Sequence, residues 1–157
     1  MIIITQIEML NSLKEYLKEK TKNLILTARV EKNSLQEAKR PPFIFIGDLP
    51  QPDERTTRVP YIIIKLVQGK DELNESTCNV RIIAVTYNKN NDECYMECLN
   101  VIEKIRENLL KDVVVCERFS CRKPLEYLIY EDDIQPYCIG ELMTVWEMPQ
   151  IIREVDF

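Results

Sequence analysis

The segment STCNVRIIAVTYN, Ser76 to Asn88, alternates along its length. Cys78, Val80, Ile82 and Ala84 fall on one face, and Asn79, Arg81, Ile83 and Val85 on the other. Side chains of a strand point alternately to its two faces, so this run reads as a strand with one apolar and one half-polar face. A helix fits the first face, and something wetter the second. The next segment supplies a helix. In ECYMECLNVIEKIRENLL, Glu93 to Leu110, the residues Tyr95, Cys98, Leu99, Ile102, Ile105, Arg106 and Leu109 recur at helical spacing, with Cys94 at the border of the stripe. Glu93, Glu97, Asn100, Glu103, Lys104, Glu107 and Lys111 make the opposite face. Asn91 or Asp92 is placed to cap this helix, and Asp92 and Glu93 suit its positive end.

The chain on either side completes the pattern. Thr5 with Glu8 three residues later is a capping-box signature. Ile7, Leu10, Leu13 and Leu17 then recur every three or four residues, which predicts an amphipathic helix from about residue 5 to about residue 21. Ile25 to Val30 and Phe43 to Gly47 read as short strands, and YIIIKLVQG, Tyr61 to Gly69, as a buried one. Prolines mark the stretch between them. LPQPDERTTRVP, within a loop around 48–60, reads as polar and exposed. Three more strands are expected at Val113 to Phe119, Leu125 to Glu131 and Glu141 to Met148. Strands grouped around two helices predict an α+β fold, with a mainly antiparallel sheet and both helices packed on one face. At 157 residues the chain fits one domain, 1–157, large enough to bury a core.

Composition excludes several classes of function. A net charge of −5 argues against general nucleic-acid binding, which needs a surplus of Lys and Arg. The basic residues come in pairs, Lys39 with Arg40 and Arg122 with Lys123, while Arg55 and Arg58 stand apart in the proline-marked loop. The opening MIIITQIEML has no positive n-region and no small-residue cleavage site, so it is not read as a signal peptide. No run approaches the roughly 18–20 apolar residues of a membrane span. A cytoplasmic address is expected, where thiols stay reduced. With three glycines and no Walker loop, GxGxxG or HExxH, nothing points to nucleotide or zinc-protease chemistry.

Six cysteines and no histidine raise the question of a metal. Cys94 and Cys98, four apart on a helix, lie on neighbouring turns, and Cys116 and Cys121 straddle a turn. A closed zinc site needs four ligands, and neither pair has the glycine-bearing loop of a zinc knuckle. Buried thiols behave as small hydrophobes, and packing is the reading for Cys98, Cys94, Cys78 and Cys116. Without histidine there is no Cys–His pair or Ser–His–Asp triad. Ser12, Ser34, Ser76 and Ser120 have no supporting pattern for a Ser–Lys dyad. Glu131, Asp132 and Asp133 offer oxygens to a cation, but adjacent loop carboxylates are mostly solvated. No catalytic, cofactor-binding or metal-binding residue is assigned, and no enzyme activity is expected.

Four stretches taken in order carry a resemblance: PPFIFIGDLP (Pro41 to Pro50), PYIIIKLVQGKDELNESTCNVRIIAVTYN (Pro60 to Asn88), ECLNVIEKIRENLL (Glu97 to Leu110) and PLEYLIYEDDIQPYCIGELMTVWEMP (Pro124 to Pro149). Together they resemble a family of small tail proteins of long-tailed bacteriophages and prophages of Gram-positive bacteria, of the tail terminator type. Ala84 and Val85 depart from that pattern where a glycine is usual before Thr86-Tyr87, as does Cys138 where an aromatic is expected. The resemblance implies a structural protein that caps the tail tube and offers the head a docking face as a hexameric ring. Its implied partners are further copies of itself, the tail tube protein and head–tail connector proteins, with DNA as passing cargo and no membrane or cofactor. The implied location is the bacterial host cytoplasm during assembly, then the virion tail. The loops Leu49 to Pro60 and Glu131 to Pro136 are the expected contact arms, and net negative charge suits a channel in which DNA slides. The alternatives are a head–tail connector or tail completion subunit, and a cysteine-based metal-binding module.

Overall fold

The computed structural model describes residues 5–29, 38–51, 57–112, 114–115, 119–131 and 135–151. Helix α1 spans Gln6–Thr21 and α2 spans Asn91–Asp112. The strands are β1 (Leu26–Thr27), β2 (Lys39–Arg40), β3 (Phe43–Ile46), β4 (Tyr61–Asp71), β5 (Ser76–Tyr87), β6 (Val114–Val115), β7 (Phe119–Ile129) and β8 (Tyr137–Met148). A six-stranded sheet runs in the order β3-β4-β5-β8-β7-β6, and β1 pairs with β2 in a two-stranded ribbon. Every pair in the large sheet is antiparallel except β3 with β4, which is parallel from Phe43 beside Tyr61 to Ile46 beside Ile64. The fold is α+β, with both helices on one face of a mainly antiparallel sheet.

Register explains which residues reach that face. Cys78, Val80, Ile82 and Ala84 of β5 pair with Trp146, Thr144, Leu142 and Gly140 of β8. Across β4, Ile64 and Ile62 face Ile82 and Ala84. These side chains meet Met9, Leu13 and Leu17 of α1 and Val101, Ile102, Ile105 and Leu109 of α2 in one core. Each fully buried aliphatic side chain there stabilises the fold by about 1.5–3 kcal/mol. Trp146 is fully buried, and its Nε1 donates to Thr144 Oγ1 at 2.8 Å, which in turn donates to the Val80 carbonyl at 2.7 Å. The bulkiest core residue therefore leaves no orphaned N–H.

The helices form where expected but are rotated slightly from the expected stripes. Thr5 caps α1 by accepting a hydrogen bond from the Glu8 N–H at 3.1 Å. The buried row of α1 is Met9, Leu13, Leu17 and Thr21, a strict i, i+4 ladder, while Ile7 is 71% exposed and Leu10 only partly covered. In α2 the buried set is Cys94, Cys98, Val101, Ile102, Ile105 and Leu109. Cys94 is thus inside the stripe, whereas Tyr95 is exposed. The cap of α2 is Asn90, whose side chain accepts from the Glu93 N–H at 3.2 Å, in place of the expected Asn91 or Asp92.

The strand boundaries differ more. The stretch expected as two strands, Val113 to Phe119 and Leu125 to Glu131, is a two-residue β6 followed by a long β7 that begins at Phe119. Pro124 does not end β7. The ladder shifts register between Arg122 and Glu126, and a bulge is where a residue without an N–H is tolerated. β8 begins at Tyr137, four residues before the expected start, because the whole run from Tyr137 to Met148 pairs with β5. The short strand expected at Ile25 to Val30 is reduced to Leu26–Thr27, and Val30 lies outside the described residues.

Candidate functional site

The face of the sheet away from the helices divides into zones. At one end Tyr61, Ile63, Val85 and Tyr87 are buried, with Phe45, Ile83, Tyr137 and Ile139 packed around them. Leu49 and Val59, the two ends of the proline-marked loop, close over this cluster and are themselves buried. The expectation of a polar, exposed loop is therefore corrected at its two ends. Its ends are apolar plugs, because the strand residues beneath them need a cover. Residues 52–56, including Arg55, lie outside the described residues.

Arg40 holds the loop's return. One of its guanidinium nitrogens donates to the carbonyls of Pro41 (3.0 Å) and Pro60 (3.1 Å), and the other to those of Arg58 (2.7 Å) and Val59 (2.9 Å). The guanidinium also lies 3.7 Å from the centre of the Phe43 ring, a cation–π stack. Burial, with Arg58 nearby, pulls the Arg40 pKa below its ordinary value. The group stays charged, since arginine titrates far above neutral pH. Arginine's planar fork suits this work, which a lysine's single ammonium could not do in the same way. The basic pair seen in sequence is thus split in role, with Arg40 serving the fold.

The centre of the same face is ionic. Arg81 Nε donates to Glu141 at 2.7 Å, and an Arg81 Nη donates to the Tyr130 hydroxyl at 3.1 Å. Glu141 is buried, and its carboxylate raises the Arg81 pKa. The half-polar character of the opening strand is explained by this ion pair as much as by solvent.

Among the described residues the edge of the sheet at β7 is open. β6 pairs only with Phe119 and Ser120, so among the described residues no strand pairs with β7 from Cys121 to Ile129 on its far side. Tyr127 and Leu128 on that stretch are 47% and 44% exposed. Arg106 of α2 lies over the Tyr127 ring, 5.3 Å from its centre. An edge that shows unpaired backbone groups beside exposed apolar side chains is a template for another strand.

The cysteines fall into two settings. Cys78 and Cys121 stand in the core or at its margin, and burial pushes each thiol up to about 11. Cys94 and Cys98 of α2 lie over Thr86 of β5 and Cys138 of β8, which are directly paired strand neighbours. Cys94 donates to the Pro136 carbonyl at 3.3 Å, and burial raises its pKa. Cys138, which sequence reasoning left without a role, lies near enough to Cys98 for each thiol to shift the other's pKa. Among the described residues no group of three or more Cys, Asp or Glu is arranged to hold a metal ion. Cys116, Ser34, Asp132 and Asp133 lie outside the described residues, so the acidic run is represented by Glu131 alone.

A polar knot was not anticipated. Glu97, assigned to the solvent face of α2, accepts from both the N–H and the hydroxyl of Thr27 at 2.9 Å. The Asn88 amide donates to Glu93 at 3.1 Å, and to Thr27 and Glu97 at longer range. This ties the β1 ribbon to the start of α2. A glutamate on the polar side of a helix carries no signal that a second chain segment will come to it.

Among the described residues no helix is long and apolar enough to cross a membrane. Compared with known protein families and with curated proteins, the chain has no match.

Proposed function

We propose that this chain is a structural tail protein of a long-tailed phage or prophage, a tail terminator whose copies form a ring on the end of the tail tube. The observation that carries the reading is the open β7 edge with Tyr127 and Leu128 exposed beside it. A ring subunit needs two different, mutually complementary surfaces, and a free sheet edge supplies one of them. The ordered motifs from Pro41 to Pro149 support the same reading. Their described strand and helix residues supply much of the core, which fits a protein whose work is done by shape and surface. Leu49 and Val59 are buried against the sheet, and the exposed residues beside them, Pro50, Gln51, Thr57 and Arg58, are the described part of that contact arm.

The test is electron microscopy of particles made without this gene. Over-long tubes lacking heads are the expected result. Tubes of normal length that fail to join heads would move the protein to a connector or completion role. Normal infectious particles would overturn the tail reading.

A further inference from the structure

We propose that Cys98 and Cys138 are a redox-responsive thiol pair that closes into a disulfide between α2 and β8 when a peroxide reaches Cys138. The inference is independent of the tail reading. Its geometry comes from three elements. Cys138 and Gly140 point to the helix-covered face of β8, two residues apart. Cys98 lies above them, its Sγ only 3.2 Å from where a Gly140 Cβ would stand. The missing side chain at Gly140 is what lets α2 settle close to β8, with Cys98 near enough to Cys138 for each thiol to shift the other's pKa.

The two thiols differ in access. Cys98 is fully buried, while Cys138 is only partly covered. The neighbouring Cys98 thiol holds the Cys138 thiol down, to about 7, and Cys98 is itself pushed up, where burial adds to the effect. The thiolate is the reactive form, so Cys138 is the nucleophile and Cys98 the resolving thiol. Cys78 and Cys121, raised to about 11, stay protonated.

The step balances as follows. The Cys138 thiolate attacks one oxygen of the peroxide, the O–O bond breaks, and hydroxide leaves. This gives Cys138 sulfenic acid. The Cys98 sulfur then attacks the Cys138 sulfur and the S–O bond breaks. The displaced hydroxyl takes up the Cys98 proton and leaves as water. Two thiols are oxidised to one disulfide, and the peroxide is reduced to two waters once the first hydroxide is protonated. Thiol reductants reverse the change by exchange.

The experiment treats the full chain with hydrogen peroxide in slight excess and maps its peptides by mass spectrometry. The expected product is an intramolecular Cys98–Cys138 link that a dithiol removes. In Cys98→Ser the expected product is sulfenic acid at Cys138, captured by dimedone. Cys94→Ser should leave the link intact. Circular dichroism on each variant shows that it is folded. If a variant does not fold, labelling of the unaltered protein with limiting iodoacetamide decides, with Cys138 expected to react several-fold faster than Cys121. Oxidation or labelling that begins at Cys121, a link through Cys94, or an unreactive Cys138 would each overturn the proposal.

Discussion

The two faces of the sheet are built on different rules. Under the helices, alternation and helical periodicity do everything: isoleucines, valines and Trp146 on the strands meet apolar rows on α1 and α2. Neither α1 nor α2 reaches the other face. Apolar strand residues are covered at one end by Leu49 and by Val59, whose carbonyl Arg40 holds, and the centre is closed by the Arg81–Glu141 pair. A core of the first kind tolerates little change in volume. A cover of the second kind depends on a few polar contacts that can be removed one at a time.

Substitutions should separate these two rules. Trp146→Ala removes the largest fully buried side chain from the helix-covered face and takes away the donor to the Thr144 hydroxyl, whose own bond to the Val80 carbonyl remains. It should cost about 3–5 kcal/mol, read as a lower midpoint in urea unfolding. Gly140→Ala places a Cβ 2.8 Å from Ile129 Cδ1 and 2.9 Å from Ile102 Cγ1. It should cost about 1–3 kcal/mol by overpacking, and a thermal melt unchanged from the parent would show that α2 is free to ride away from β8. Arg40→Lys belongs to the other face. It keeps the charge but loses the fork that reaches four carbonyls. A loss of about 1 kcal/mol is expected, with faster hydrogen exchange around Leu49 and Val59 and little change in α1 and α2. If exchange rises equally in the helices, the two faces are not independent. Arg122→Ala breaks an exposed pair with Glu75 at 2.9 Å and should change stability by less than about 1 kcal/mol.

The same division explains what the sequence could say. β5 and α2 were legible because each buries one face against a neighbour of matching period, so the pattern in the residues is the pattern in space. The rotation of the α1 stripe toward Met9 was less legible, since Ile7 and Met9 are both apolar and only packing chooses between them. β7 was misread because Pro124 is a strong local breaker, and only the register of the neighbouring β8 shows that a bulge absorbs it. The roles of Arg40, Glu97 and Cys138 were not legible at all. Each depends on a partner distant in the chain: Arg58 to Pro60, Thr27, and Cys98. The open edge of β7 was equally hidden, because edge position is a property of strand order and not of any one strand.

One consequence remains in the parallel pairing of β3 with β4. Two strands running the same way cannot be joined by a tight turn, since the chain must travel back along the full length of the pair before it re-enters the sheet. The stretch from Gly47 to Pro60 is therefore a crossover and not an insertion. It has a minimum length set by topology, and trimming it to a few residues should unseat β3 even with every anchoring residue kept. Whatever residues fill it, the loop cannot be made short.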